Sequence, residues 1–144
     1  MKPLNGVAAS GGIAIGRAHV LSALSVEVSH HFISSDQLEV ELARFDAAVE
    51  LARTELIELR QNLSQDAPAE LSAFIEVHEL MLHDPIMTRS PRDLIEKRRY
   101  NAAWALSTQV EQLAKQFEEM DDAYLRERSF DVRQVGERIL KHLA

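Results

Sequence analysis

Residues 34–63 read SSDQLEVELARFDAAVELARTELIELRQNL, and the fold class turns on this stretch. Leu38, Leu42, Phe45, Val49, Ala52, Leu56, Leu59 and Leu63 follow one another at alternating steps of four and three residues. Those steps hold apolar side chains on one face of an α-helix, whereas a strand, with its period of two, would scatter them over both faces. Ser34 followed by Gln37 has the form of a capping box, which sets the expected start of the helix. Outward toward the C-terminus, Leu106, Val110, Leu113, Phe117, Met120 and Tyr124 form a second seam of the same kind. Two such helices in one chain can pair as an intramolecular hairpin, with Phe45 and Phe117 expected in the core between them.

Shorter helices fill the interval. Pro68 suits the first turn of a helix over Ala69 to His83, which Asp84-Pro85 ends. Ser90-Pro91 opens another to about Arg99, and Asn101 is placed to cap the long helix that follows. Asp121 or Asp122 breaks or recaps that helix, and a last one carries Val132, Val135, Ile139 and Leu143 on its seam. The expected fold is all-α, a helical bundle over residues 34–144.

Residues 1–33 have a different texture. With Lys2, Arg17 and Glu27 as their charged residues they net +1, leaving −8 of the total −7 to the rest of the chain. Gly6 to Ser22 alternates glycines and small residues with Val, Ile and Ala, the pattern of a strand with a shift at Gly16. One short strand is not stable alone. Only Val26 to Val28 offers a pairing partner, so the segment is expected to belong to a sheet built mostly of other residues. It lacks G-x-G-x-x-G and a Walker lysine, so it is not a phosphate-cradling loop.

Composition narrows the function classes. The chain has 144 residues, one domain's worth, and no cysteine, which excludes a disulfide scaffold, a cysteine nucleophile and a thiolate metal site. A net charge of −7 argues against nucleic acid or an anionic membrane as partner and favours a basic protein surface. The longest uncharged run, Pro3 to Gly16, is too short and too polar for a membrane span or a signal peptide. A cytoplasmic location is expected.

The helix over Ala69 to His83 is the one with too much apolar surface. At about 100° per residue, Ser72, Glu76, Glu79 and His83 share a narrow polar face, and apolar residues span roughly 220° of the rest. Leu71, Ile75 and Leu82 form one edge; Ala73, Val77, Leu80 and Met81 form the other, with Phe74 between. Periodicity by itself favours burial of both edges within the domain. His78 and His83 resemble a zinc-binding pair, but a spacing of five turns the imidazoles to different faces, so no metal site is assigned. His30 and His31 read as solvated loop residues, and Asp121-Asp122 as helix caps rather than an acid–base pair. Read this way, the chain carries no catalytic constellation.

Three stretches in order along the chain, GVAASGGIAIGRA at 6–18, FIEVHELMLHDP at 74–85 and DDAYLRERSFDVRQVGERIL at 121–140, resemble the N-terminal region of Enzyme I. That family comprises the phosphoenolpyruvate–protein phosphotransferases of bacterial sugar uptake. The resemblance implies a helical insertion that docks the small carrier protein HPr, at residues 34–144. It also implies that residues 1–33 are the β segment of an α/β phosphohistidine subdomain completed elsewhere. Enzyme I passes phosphate from phosphoenolpyruvate through its own histidine to one on HPr, and its C-terminal barrel binds phosphoenolpyruvate and Mg²⁺ and forms the dimer. A monomer with no cofactor is expected of the present chain, and a homodimer of a full-length parent. The family's active histidine lies in a Gly-x-Thr-Ser-His-x-Ala motif. None of His19, His30, His31, His78, His83 and His142 has those neighbours, so no phosphoryl acceptor is assigned and the chain is expected to be inactive by itself.

Carried over residue by residue, the resemblance puts Glu70, Phe74, His78, Leu80 and Met81 on the docking side, with Tyr124, Leu125 and Arg128 beside them. The wide apolar arc adds Ala73, and motif and arc coincide at Leu80 and Met81. Ala69, Pro85 and Ile86 stand where family members commonly carry glutamates, which shifts weight from charge steering to apolar contact. A nitrogen-branch paralogue normally has a sensory domain ahead of this region; the first motif begins at Gly6, which favours the sugar-type enzyme. A helical interaction domain unconnected with phosphotransfer is the reading from a different class.

Overall fold

The long seam folds as expected. A computed structural model describes residues 27–144, and in it a single 3₁₀ turn, Ser35–Gln37, runs into α1, Leu38–Gln61. The Gln37 side chain accepts from the Ser34 N–H at 3.1 Å, closing one half of the capping box. Phe45, Val49, Ala52 and Leu56 are buried, with Ala48 beside them, and Leu38 and Leu42 are half-buried against the core. Leu59 departs from the expectation: it is 46% exposed, although Arg60 next to it pairs with Glu79 of α2 and Leu63 beyond it is half-buried.

After α1 come α2, Ala69–His83, then a single turn α3, Pro85–Thr88, and α4, Ser90–Arg98. The long helices α5, Ala102–Glu118, and α6, Ala123–Leu143, complete the unit. Asp84 starts α3 by accepting from the Ile86 N–H at 2.9 Å. Asp122 starts α6, its Oδ1 accepting from the N–H groups of Tyr124 and Leu125 at 2.8 and 3.4 Å. Met120 and Tyr124, read as the end of the second seam, therefore lie beyond α5 and are exposed, while Phe117 is half-buried at its end.

The expected hairpin of the two long-seam helices is corrected. α5 packs most extensively on α6, its chain neighbour, and α1 lies chiefly against α6 and α2, touching α5 only lightly. The short Asp121-Asp122 connection turns α6 straight back along α5, so sequence neighbours pair first. Gly136 of α6 faces Val110 of α5 so closely that an added Cβ would sit 2.6 Å from Val110 Cγ2, and Ala105 and Ala114 keep the rest of α5 slim. Small residues here let the two backbones approach. Val132, Val135, Ile139 and Leu143 are buried as expected.

Two arginines of α1 hold the ends of its neighbours. Arg44 donates to the Leu143 carbonyl of α6 at 2.8 Å, and Arg53 donates twice to the Leu82 carbonyl of α2, at 3.2 and 2.6 Å. Both place a cation at the negative end of a helix, where the last carbonyls have no helical partner.

Residues 27–33 are laced to the α4–α5 junction. Ile33 donates to the Arg99 carbonyl at 2.7 Å, Asn101 donates to the His31 carbonyl at 3.0 Å, and Phe32 makes an isolated antiparallel bridge to Tyr100. Asn101 sits at the N-terminus of α5, but its side chain is not a cap. Its Oδ1 accepts from the His31 N–H at 3.0 Å and its Nδ2 donates to the Ser29 carbonyl at 2.9 Å. His30 is exposed yet stacks on Trp104, with ring centroids 5.1 Å apart. The strand expected over Gly6 to Ser22 lies outside the described residues.

Candidate functional site

α2 is an edge helix. It packs on α1, α3 and α6, and only its Ile75–His78–Leu82 stripe is fully buried. The expectation that both apolar edges lie inside is overturned, because no other element covers the far side of α2 among the described residues. Leu80 is 71% exposed and Phe74 37% exposed, Ala73 is exposed, and Val77 and Met81 are half-buried. Glu70 is exposed in the first turn. Leu80 lies about 120° around the helix from Phe74, so the two occupy different flanks.

Phe74 and His78 face α6. The ring of Phe74 lies against that of His78, with centroids 4.0 Å apart, and His78 is 1% exposed. Its Nε2 is 3.3 Å from Asp131 Oδ1. Because a carboxylate accepts, the proton is assigned to Nε2, which leaves Nδ1 as a bare acceptor. Nδ1 has no hydrogen-bond partner among the described residues, and His78 lines a cavity of about 170 Å³ together with Phe74, Gln134, Glu137, Arg138 and Lys141. Burial lowers the pKa of His78, against the opposing pull of Asp131, which favours the neutral ring.

On α6 the Asp122 cap fixes the first turn, so Tyr124 and Arg128 stack one turn apart on one face. The Arg128 guanidinium lies 4.4 Å from the centroid of the Tyr124 ring and also donates to the Tyr124 hydroxyl. Its other arm donates to Asp131 Oδ2 at 3.0 Å. Tyr124 is 62% exposed, and Leu125 is half-buried.

Of the residues singled out in the sequence, Phe74, His78, Tyr124 and Arg128 are thus brought into one chain of contacts across the α2–α6 seam. Glu70, Ala73 and Leu80 share the exposed side of α2, with Met81 half-buried against the core. His78 itself is inside, under Phe74. Asp131, which joins the two helices, was not singled out. It lies within the 121–140 stretch, one turn beyond Arg128, and that i, i+3 acid–base spacing is its only sequence signal. No cluster of three or more His, Cys, Asp or Glu residues arranged for a metal occurs among the described residues.

Comparison with known proteins agrees with this architecture. The family described as PEP-utilising enzyme, N-terminal, matches residues 5–128. The phosphoenolpyruvate-protein phosphotransferase of Cupriavidus necator is 51% identical over 141 residues, covering 98% of this chain and 24% of the relative. The protein of that name from Listeria innocua is 35% identical over 142 residues, covering 99% and 24%. A solution structure of Enzyme I superposes with a TM-score of 0.76 at 28% identity, covering 83% of this chain and 48% of that one. The N-terminal domain of Enzyme 1 - Nitrogen gives a TM-score of 0.71 at 29% identity, covering 78% and 47%. The chain spans about a quarter of the length of these curated relatives. From the matched family, the identity along nearly the whole chain and the shared helical bundle, it follows that the chain belongs to the PEP-utilising enzyme N-terminal family, with its likeness to the N-terminal domains of Enzyme I.

Proposed function

We infer that this domain docks the phosphocarrier HPr, presenting it to a phosphohistidine carried on another part of the full-length enzyme, in the cytoplasm. The observation that carries this reading is the exposed apolar surface of α2, Ala73 and Leu80 on one flank and Phe74 on the flank facing α6, which carries the Tyr124–Arg128 pair. Leu80 is 71% exposed and Phe74, although it packs on His78, keeps 37% of its surface exposed; an apolar patch of this kind rimmed by charge is what a protein interface requires. Glu70, Glu76 and Asp121, just ahead of α6, are exposed and supply the rim that a basic partner would meet. On this reading residues 34–144 are the docking domain and residues 1–33 part of the α/β phosphohistidine subdomain. Phosphoryl transfer and its Mg²⁺ belong to the remaining parts of the enzyme, where the homodimer contacts also lie. The present chain by itself is a monomer without phosphotransferase activity.

The similarity to the nitrogen-type domain supports a second reading within the same class, in which the carrier belongs to a nitrogen-regulatory branch. Titration of unlabelled HPr of the sugar type and of the nitrogen type into ¹⁵N-labelled protein tests both. Shifts confined to α2 and the first turns of α6 support docking, and the tighter carrier names the branch. Unperturbed Leu80 and Met81 alongside responses on another face would remove the assigned surface.

A further inference from the structure

His78 presents a puzzle: it belongs to the motif that points to docking, yet it is 1% exposed and cannot touch a partner directly. The contacts around Asp131 resolve it. We propose that Asp131 is the positioning residue of the docking surface, holding the Arg128–Tyr124 pair in one orientation while buried His78 holds Asp131. The inference rests on the docking reading above and adds a residue that the sequence motif left without a role.

A carboxylate has two oxygens, and in Asp131 each has its own donor. Oδ1 takes the His78 N–H at 3.3 Å and Oδ2 takes Arg128 at 3.0 Å. Asp131 would otherwise swing about its side-chain bonds. His78 prevents this because its ring is fixed by burial and by the Phe74 ring at 4.0 Å. Arg128 is then gripped from both sides, by Asp131 on one arm and by the Tyr124 ring and hydroxyl on the other. A free arginine loses rotamer freedom when a partner immobilises it; one already held loses little, which favours association. The same grip connects α2 to α6, so that the two helices contributing to the surface keep one spacing. Arg128 remains 20% exposed at its side chain and Tyr124 62% exposed, so both can still reach a partner.

A helix–helix staple with no influence on docking would show the same distances, and a double-mutant cycle separates the two. Asp131→Asn keeps an oxygen for His78 but removes the charge that holds Arg128. It is expected to weaken HPr binding about tenfold in the wild-type background and to have little further effect once Arg128→Ala is present. His78→Leu should weaken binding to a similar degree, and His78→Gln, whose amide can donate from nearly the same place, should restore it. The heteronuclear NOE of the Arg128 Nε–H in the free protein should fall in Asp131→Asn, a readout that needs no HPr and no loss of stability. Arg128→Ala weakening HPr binding while Asp131→Asn leaves it unchanged, or the two effects simply multiplying, would overturn the inference and leave the docking reading standing. Failure of HPr to bind the wild-type protein would remove both.

Discussion

The two faces of α6 teach different lessons about what a helix interface is for. Toward α5 it is closed: Gly136 lies under Val110, and Val132, Val135 and Ile139 share one core with Leu106 and Ala114, with essentially no exposed area. Toward α2 it is polar and half open, with a His–Asp–Arg–Tyr chain where the other face has aliphatic contacts, and with Phe74 left at 37% exposure. The first face uses all its apolar surface for stability. The second forgoes some of that stability, since a buried histidine bonded to a carboxylate is no better for folding than a well-packed leucine. What it retains is a fixed set of exposed aromatic, apolar and charged groups.

Substitutions that break one face should leave the other legible. The largest effect is expected in the closed core. Phe45→Ala, at 0% exposure, should cost about 3–5 kcal/mol in urea unfolding, whereas Phe117→Ala, half-buried at the end of α5, should cost no more than about 2. Equal losses would mean that the end of α5 is as tightly packed as its middle. Gly136→Ala comes next: a methyl group 2.6 Å from Val110 Cγ2 forces the helices apart or Val110 out of its rotamer, for about 1–3 kcal/mol. The double variant Gly136→Ala, Val110→Ala should recover part of that loss, and no recovery would place the strain elsewhere.

The open face should behave in the opposite way. Leu80→Asp, at a position 71% exposed, should change stability by no more than about 0.5 kcal/mol while weakening HPr binding at least about tenfold. Met81→Asp confounds the two effects, because Met81 also packs against the core. The smallest expected effect is in pH. The folded-state pKa of His78 is lowered by burial, so below the ordinary value of 6.5 the unfolded chain binds the proton more readily than the folded one. Stability should therefore be full above that value, fall as pH drops toward the lowered pKa, and level off below it. His78→Gln should flatten that part of the profile, and an unchanged slope would assign it to another group.

The helical class and nearly every boundary were legible because they rest on local rules. Pro68, Asp84-Pro85, Ser90-Pro91 and Asp122 each act within one turn of chain, and the observed helices start and stop at them. Pairing was not legible in this way. Two seams of equal quality say that each helix has a buried face, not which helix covers it, and the short α5–α6 turn outweighed the likeness of the seams. The same holds for Asn101. Its position marks the start of α5, but its side chain serves the segment at 29–31, a relation that exists only in three dimensions. At the candidate site the sequence supplied the residues and the structure supplied the layers: Leu80 outside, Phe74 at the rim, His78 beneath it. Asp131 was hidden because a lone aspartate on an Arg-rich helix looks like an ordinary surface pair until His78 arrives from the other helix.

The Arg44 clamp on the Leu143 carbonyl has a mechanical consequence. It lies at the tail of α6, whereas Tyr124 lies near the head, about 28 Å away at a rise of about 1.5 Å per residue. The packing on α5 holds the middle of the helix as well, up to Val132, so the length that acts as a lever is the stretch of about 12 Å from Val132 to Tyr124. A tilt of about 5° over that length displaces the tyrosine by about 1 Å, which is the difference between a formed and a missed hydrogen bond. The His78–Asp131 contact lies at the root of that stretch, and so acts as a stay against the tilt.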